Sequence, residues 1–92
     1  MITTTARIAT EQAERLILRL CKHWGHKFPV QHEPQRGEIE LPFGKCRLYI
    51  HEALIVELEG EAAQMEKFQQ VVAEHLQRMA LKETLAIQWG QV

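Results

Sequence analysis

Residues 37–60 read Gly37-Glu38-Ile39-Glu40-Leu41-Pro42-Phe43-Gly44-Lys45-Cys46-Arg47-Leu48-Tyr49-Ile50-His51-Glu52-Ala53-Leu54-Ile55-Val56-Glu57-Leu58-Glu59-Gly60. Apolar side chains recur at every second position: Ile39 and Leu41, then Cys46, Leu48 and Ile50, then Leu54, Val56 and Leu58. Charged side chains fill most of the alternate places. Successive side chains of a strand point to opposite faces, so this pattern describes three strands with one buried and one wet face, as in an antiparallel sheet. Pairing follows from the turns. A turn at Phe43 and Gly44 sets Leu41 against Cys46, Ile39 against Leu48 and Glu40 against Arg47. A loop of His51, Glu52 and Ala53 sets Ile50 against Leu54, Leu48 against Val56, Arg47 against Glu57 and Lys45 against Glu59. The wet face then carries Glu40, Arg47 and Glu57 in a row. The three-residue loop lacks the glycine that such loops favour at their left-handed position.

The period changes on both sides of this meander. Ala13, Leu16, Ile17, Leu20, Cys21 and Trp24 recur at helical spacing, which predicts a helix over residues 10–25. Thr10 is its expected N-cap, and Gly25 its expected left-handed C′ residue. Arg15, Arg19 and Lys22 fall on the opposite, wet side. Met65, Phe68, Val72, Leu76 and Met79, flanked by Val71 and His75, predict a second helix over residues 61–80. Phe28, Val30 and His32 alternate as a strand. Residues 33–37 read as a turn, residues 2–8 as a first strand and residues 85–89 as a last one.

The resulting order is strand, helix, four-strand meander, helix, strand. Two helices must cover the single apolar face of the sheet, giving an α+β two-layer sandwich. This order matches the TATA-binding-protein-like topology, an analogy of fold that carries no function. The 92 residues suffice for one domain, 1–92. Hydrophobic residues are 46% and charged residues 25%, an ordinary globular balance that argues against disorder. The net charge of −1 lacks the basic excess of a nucleic-acid binder. Tyr49 alone supplies an aromatic for the open face, among glutamates that repel phosphate. With no apolar run of membrane length and no secretory leader pattern, the expected location is the cytoplasm, where Cys21 and Cys46 stay reduced.

The densest chemistry lies in Cys21-Lys22-His23-Trp24-Gly25-His26-Lys27. His23 and His26 are three apart, a spacing that presents two imidazoles to one metal on a continuing helix. Cys21 or Cys46 could add a thiolate and His32 a third imidazole, with iron or zinc as the ion. Against this stands the plainer reading of C-terminal histidines with solvated tips, favoured by the helix dipole. Cys21 and Cys46 both point into the core, either as a redox or ligating pair or as two small buried hydrophobes, the commoner case. His75 reads as a packed residue and His51 as a solvated one. The chain has no serine, no nucleophile elbow and no glycine-rich phosphate loop, so catalysis finds little support.

Residues 20–27, Gly37-Glu38-Ile39 with Gly44-Lys45-Cys46, residues 75–80 and Trp89 together resemble an uncharacterised bacterial family, domain of unknown function 2218. Met79 stands where that family usually has Phe. The resemblance implies a single short domain. It also implies a setting near siderophore-interacting proteins, and hence iron uptake, with no catalytic residue to carry over. Cys21, His23, His26 and Cys46 match the family's most recognisable positions. The expectation is a small binding or accessory module that serves a siderophore-interacting protein or a small ligand, with His23, Trp24, His26 and Lys27 around its site. Two other classes compete with it. One is a homo-oligomeric structural domain without a ligand, and the other a small thiol- or metal-dependent enzyme.

Overall fold

A computed structural model describes residues 1–91. Its elements are β1 (Ile2–Ile8), α1 (Ala13–Gly25), β2 (Val30–Glu33), β3 (Arg36–Leu41), β4 (Gly44–Ile50), β5 (Leu54–Gly60), α2 (Ala62–Met79) and β6 (Trp89–Gln91). The order is the expected one and the fold is α+β. The strands form one antiparallel six-stranded sheet in the spatial order β2-β3-β4-β5-β1-β6. Helix α1 packs on β2, β3 and β4, and α2 on β5. No helix among the described residues is long and apolar enough to cross a membrane.

The alternation places the core as expected. Ile39, Cys46, Leu48, Leu54, Val56 and Leu58 are buried beneath Leu16, Ile17, Leu20 and Trp24 of α1 and Met65, Phe68, Val72 and Leu76 of α2. Full burial of each large side chain is worth about 1.5–3 kcal/mol, so this face carries most of the stability of so short a chain. Thr4, the one buried polar residue among those described, is satisfied on both sides. Its hydroxyl donates to the Gly90 carbonyl at 2.7 Å and accepts from Gln69 Nε2 at 3.1 Å, tying β1 to β6 and α2.

The β4–β5 register is the expected one, with Ile50 opposite Leu54, Leu48 opposite Val56, Arg47 opposite Glu57 and Lys45 opposite Glu59. The β3–β4 register is two residues off. Ile39 faces Cys46, Glu38 faces Arg47 and Glu40 faces Lys45, because the turn is Pro42-Phe43 and Gly44 already belongs to β4. Two features force this. Gly44 has φ of 144°, outside the range of ordinary L-residues, and an added Cβ there would collide with the Glu59 carbonyl oxygen. Phe43 meanwhile folds back on Phe68 of α2, with ring centroids 5.7 Å apart. A slip of two residues leaves every side chain on its own face, so the partners change but the buried and wet sets do not. Arg47 is therefore held by Glu38 (3.2 Å), Glu57 (3.1 Å) and Glu59 (2.8 Å), not by Glu40.

Helix and strand ends also depart from expectation. The Thr10 hydroxyl accepts the Gln12 N–H and donates to Glu83, so it organises the turn before the helix, which starts at Ala13. Gly25 is the last helical residue and has no positive φ; His26 continues in αR geometry, and Lys27 and Phe28 both donate to the Trp24 carbonyl. Residues 34–35 alone form the β2–β3 turn, with Arg36 and Gly37 already in β3. The last strand begins at Trp89, since the Gln77 side chain occupies the preceding segment by bonding the Glu83 carbonyl and the Leu85 N–H.

Both cysteines are free thiols inside the core. Cys21 is 3% exposed and Cys46 0%. Gly37 makes room for the first, since a Cβ at Gly37 would lie 2.6 Å from Cys21 Sγ. Burial pushes the Cys21 thiol from 9.0 up to about 11. Burial, with Cys21 as a lesser cause, pushes Cys46 still higher. Thiols held neutral in the folded chain lose protons more readily once unfolded, so their contribution to stability is whole below about pH 9 and is lost as pH rises.

Three outcomes follow from this architecture. Leu48→Ala costs about 2–5 kcal/mol in urea melts by opening a cavity under α1. Arg47→Ala costs about 1 kcal/mol, and less in molar salt, because three carboxylates then repel across exposed strands; equal losses would show that the wet face stabilises as much as the core. Glu52, at φ of 60° in the β4–β5 loop, supplies the left-handed residue that the sequence leaves without glycine. Glu52→Gly raises stability by about 0.5–1 kcal/mol, and a fall in the melting midpoint contradicts that strain. In the third test, both thiols resist alkylation at neutral pH while the chain is folded, and the midpoint drops steeply above pH 9. Cys46→Ala flattens that pH slope even where it lowers stability overall.

Candidate functional site

Two stripes run along α1, each spaced i, i+3, i+4, i+7. Ile17, Leu20, Cys21 and Trp24 face the core, and Arg19, Lys22, His23 and His26 face away from it. The second stripe lies beside α2, which runs antiparallel. Arg19 meets Met79 at one level and His23 meets His75 a turn further on. Arg19 Nη1 donates to the Met79 carbonyl at 2.8 Å, satisfying one of the orphan acceptors at the end of α2.

Between the helices lies an open groove of about 560 Å³ lined by Arg19, Lys22, His23, His26, Arg78, Met79 and Leu81. Met79 and Leu81 give it an apolar floor, Leu81 being 75% exposed. Three permanent cations and two imidazoles surround it, and among the described residues no carboxylate lines it. A smaller hollow of about 300 Å³ on the open sheet face lies against Arg36, Glu38, Arg47 and Tyr49. Its central cation is already engaged by Glu38, Glu57 and Glu59, which leaves little for a ligand. The hydrogen bond to Glu59 is the largest of the effects that raise the pKa of Arg47.

The structure brings some of the sequence candidates together and separates others. His23 and His26 share the groove. Lys27 is exposed but is not part of its lining, and Trp24 is buried behind it. Cys21 and Cys46 lie under α1, on the far side of the helix from His23 and His26, so the four side chains do not converge on one metal ion. Their thiols also stay protonated at neutral pH, which removes the form that ligates metals or attacks electrophiles. His32 sits at the β2 edge beside Glu14, Arg15 and Leu18, away from the other imidazoles. Among the described residues no three His, Cys, Asp or Glu side chains are grouped to hold a metal ion.

One participant was not visible in the sequence as more than a packed residue. His75 lies 5.2 Å from His23 and 4.7 Å from Trp24, ring centroid to ring centroid. Its Nδ1–H donates to the Val71 carbonyl at 2.8 Å, so in the neutral ring Nε2 is the nitrogen that carries the lone pair. The basic stripe could have been found from its own spacing, since Arg19, Lys22, His23 and His26 repeat the period of the apolar stripe. It reads as a solvated face until the partner helix is placed.

No curated relative matches the chain. The NMR structure of PA4090 from Pseudomonas aeruginosa is similar to it, with 42% sequence identity, 98% of this chain and 96% of that chain covered, and a TM-score of 0.79. The sequence profile described as "Uncharacterized protein conserved in bacteria", domain of unknown function 2218, matches residues 5–90. That span runs from within β1 into β6 and takes in both helices, the groove and the three clustered rings, and the chain belongs to this family.

Proposed function

We propose that the protein is a small binding or accessory module whose ligand is an anionic, partly apolar small molecule held between α1 and α2. One observation carries this: Arg19, Lys22, His23 and His26 face Arg78 across a floor of Met79 and Leu81 without a carboxylate among them. A concave, mostly apolar surface with a few polar groups at its rim is the usual form of a small-molecule site. In a chain of net charge −1, five basic side chains around one groove are a local excess. Two unit charges about 4 Å apart attract by about 1 kcal/mol in water and about 4 kcal/mol near a protein surface, so several together hold an anion. Lys27 adds positive charge one residue beyond His26. Ferric siderophore complexes, commonly anionic with apolar rims, are the class that the family's implied iron-uptake setting suggests. A siderophore-interacting protein would be the partner that exchanges them.

A second reading, self-association without a ligand, draws on Leu81 at 75% and Leu18 at 41% exposure on the helical layer. The two readings separate in one set of measurements. The ferric tris-complex of 2,3-dihydroxybenzoate serves as an anionic aromatic probe, followed by calorimetry at neutral pH. Wild type binds it saturably and more weakly as salt rises. The Lys22→Glu/Arg78→Glu variant loses about tenfold or more in affinity, and His23→Ala/His26→Ala weakens it as well. No binding by wild type, or equal binding by the charge-reversed variant, rejects the groove as the site. A dimer in the native mass spectrum that Leu81→Glu dissolves supports self-association instead.

A further inference from the structure

We propose that His23 and His75 together form a site for a divalent transition-metal ion of the Zn²⁺, Ni²⁺ or Cu²⁺ class, bridging α1 and α2. The geometry of the ring pair suits it. A metal–imidazole bond of about 2.0–2.1 Å, added to about 1.2 Å from ring nitrogen to ring centre, puts each centroid about 3.2 Å from a shared ion. Two such rings at a tetrahedral angle, each with one nitrogen turned to the ion, have centroids about 5.2 Å apart. The observed separation is 5.2 Å, with the rings tilted at 53° instead of stacked face to face.

The chemistry of His75 points the same way. Metal-ligating histidines commonly donate their other ring N–H to a carbonyl or carboxylate, which orients the ring and raises the basicity of the ligating nitrogen. The Nδ1–H of His75 donates to the Val71 carbonyl at 2.8 Å, so Nε2 is the nitrogen left to ligate. Trp24, 4.7 Å from His75 and tilted at 37°, packs beside that ring and limits its movement. His23 is exposed, which gives an ion a path from solvent. With no third protein ligand grouped beside them among the described residues, two positions stay open to water or to a chelating ligand. Imidazole pairs suit Zn²⁺, Ni²⁺ and Cu²⁺ over Mg²⁺ or Ca²⁺, which take oxygen ligands. This site goes beyond the anion groove, with which it shares His23, and metal salts alone read it separately because His75 is not part of the groove lining.

The test uses the full chain and metal salts alone. Zn²⁺ titration is followed by NMR of the histidine ring protons, and Cu²⁺ titration by quenching of tryptophan fluorescence, since the Trp24 ring adjoins both imidazoles. Wild type binds one ion, with selective movement of the His23 and His75 signals. His23→Gln, at an exposed position that leaves the fold intact by circular dichroism, weakens binding about tenfold or more. His75→Gln does the same, whereas His26→Ala, His32→Ala and His51→Ala stay within about twofold of wild type. Unchanged affinity in His23→Gln overturns the proposal. So does loss of binding in His26→Ala with none in His75→Gln, which assigns the ion to the i, i+3 pair on α1 alone. Mg²⁺ displacing Zn²⁺ at equal concentration overturns it as well.

Discussion

Helix α1 rests directly on the backbone of β3 at Gly37, and much of the molecule depends on that approach. A Cβ at this position would lie 2.6 Å from Cys21 Sγ and 3.3 Å from Ile17 Cγ2, so only glycine lets the helix sit this low. The contact fixes the rotation of α1 about its own axis. With Ile17 and Cys21 pressed onto β3, Leu20 and Trp24 turn into the core, and Arg19, Lys22, His23 and His26 are carried round to the side where α2 lies. The depth of α1 sets the floor of the groove, and its rotation sets the rim. The buried thiol of Cys21 and the exposed imidazoles of His23 and His26 are thus two results of a single packing decision.

Near-neutral net charge conceals a division between the two layers. The open face of the sheet carries Glu38, Glu57 and Glu59 gathered on Arg47, with Lys45 opposite Glu40 and Glu59. These charges neutralise one another and specify strand partners. Among the described residues the cations around the groove have no such partners, apart from the bond of Arg19 to the end of α2. Cations also lie favourably against the negative end of a helix dipole, so Lys22 and Arg78 in the last turns of α1 and α2 stabilise the fold. The residues that favour the helix ends are therefore among those that line the groove.

The layers and element order were legible in the sequence because they follow from periodicity. Alternation in β3, β4 and β5 and the 3.6-residue stripes of α1 and α2 each required one buried face. Alternation is blind to a slip of two residues, which is why Glu40 was the expected partner of Arg47 and Glu38 is the real one. The deciding facts, the collision that excludes a side chain at Gly44 and the stacking of Phe43 on Phe68, are contacts between elements distant in sequence. The same holds at the helix ends. Thr10 and Gly25 have the composition of caps, but Thr10 is drawn to Glu83 and Gly25 needs no left-handed turn. Within the site, His23 and His26 were legible as a local pair. The closeness of His75 to His23 depends on how α1 and α2 are set against each other, and a single helix pattern does not contain that.

The size of the chain limits where charged and imidazole side chains can gather. A chain of 92 residues has little interior to spare, and here the interior is filled by the apolar faces of both layers. Placing a thiolate or an imidazolium there would require desolvating a charge without compensation, and the two cysteines answer that demand by remaining neutral. The open sheet face is wet, but its charges are spent on one another. What remains is the line where α1 and α2 meet above the sheet. There side chains from two helices approach closely, water has access, and the backbone is already satisfied within each helix. Trp24 closes this seam from below, so that rings packed on the core side and charges exposed on the solvent side occupy the same few ångströms. At such a seam, charged and imidazole side chains of so small a fold stay exposed without withdrawing any residue from the core.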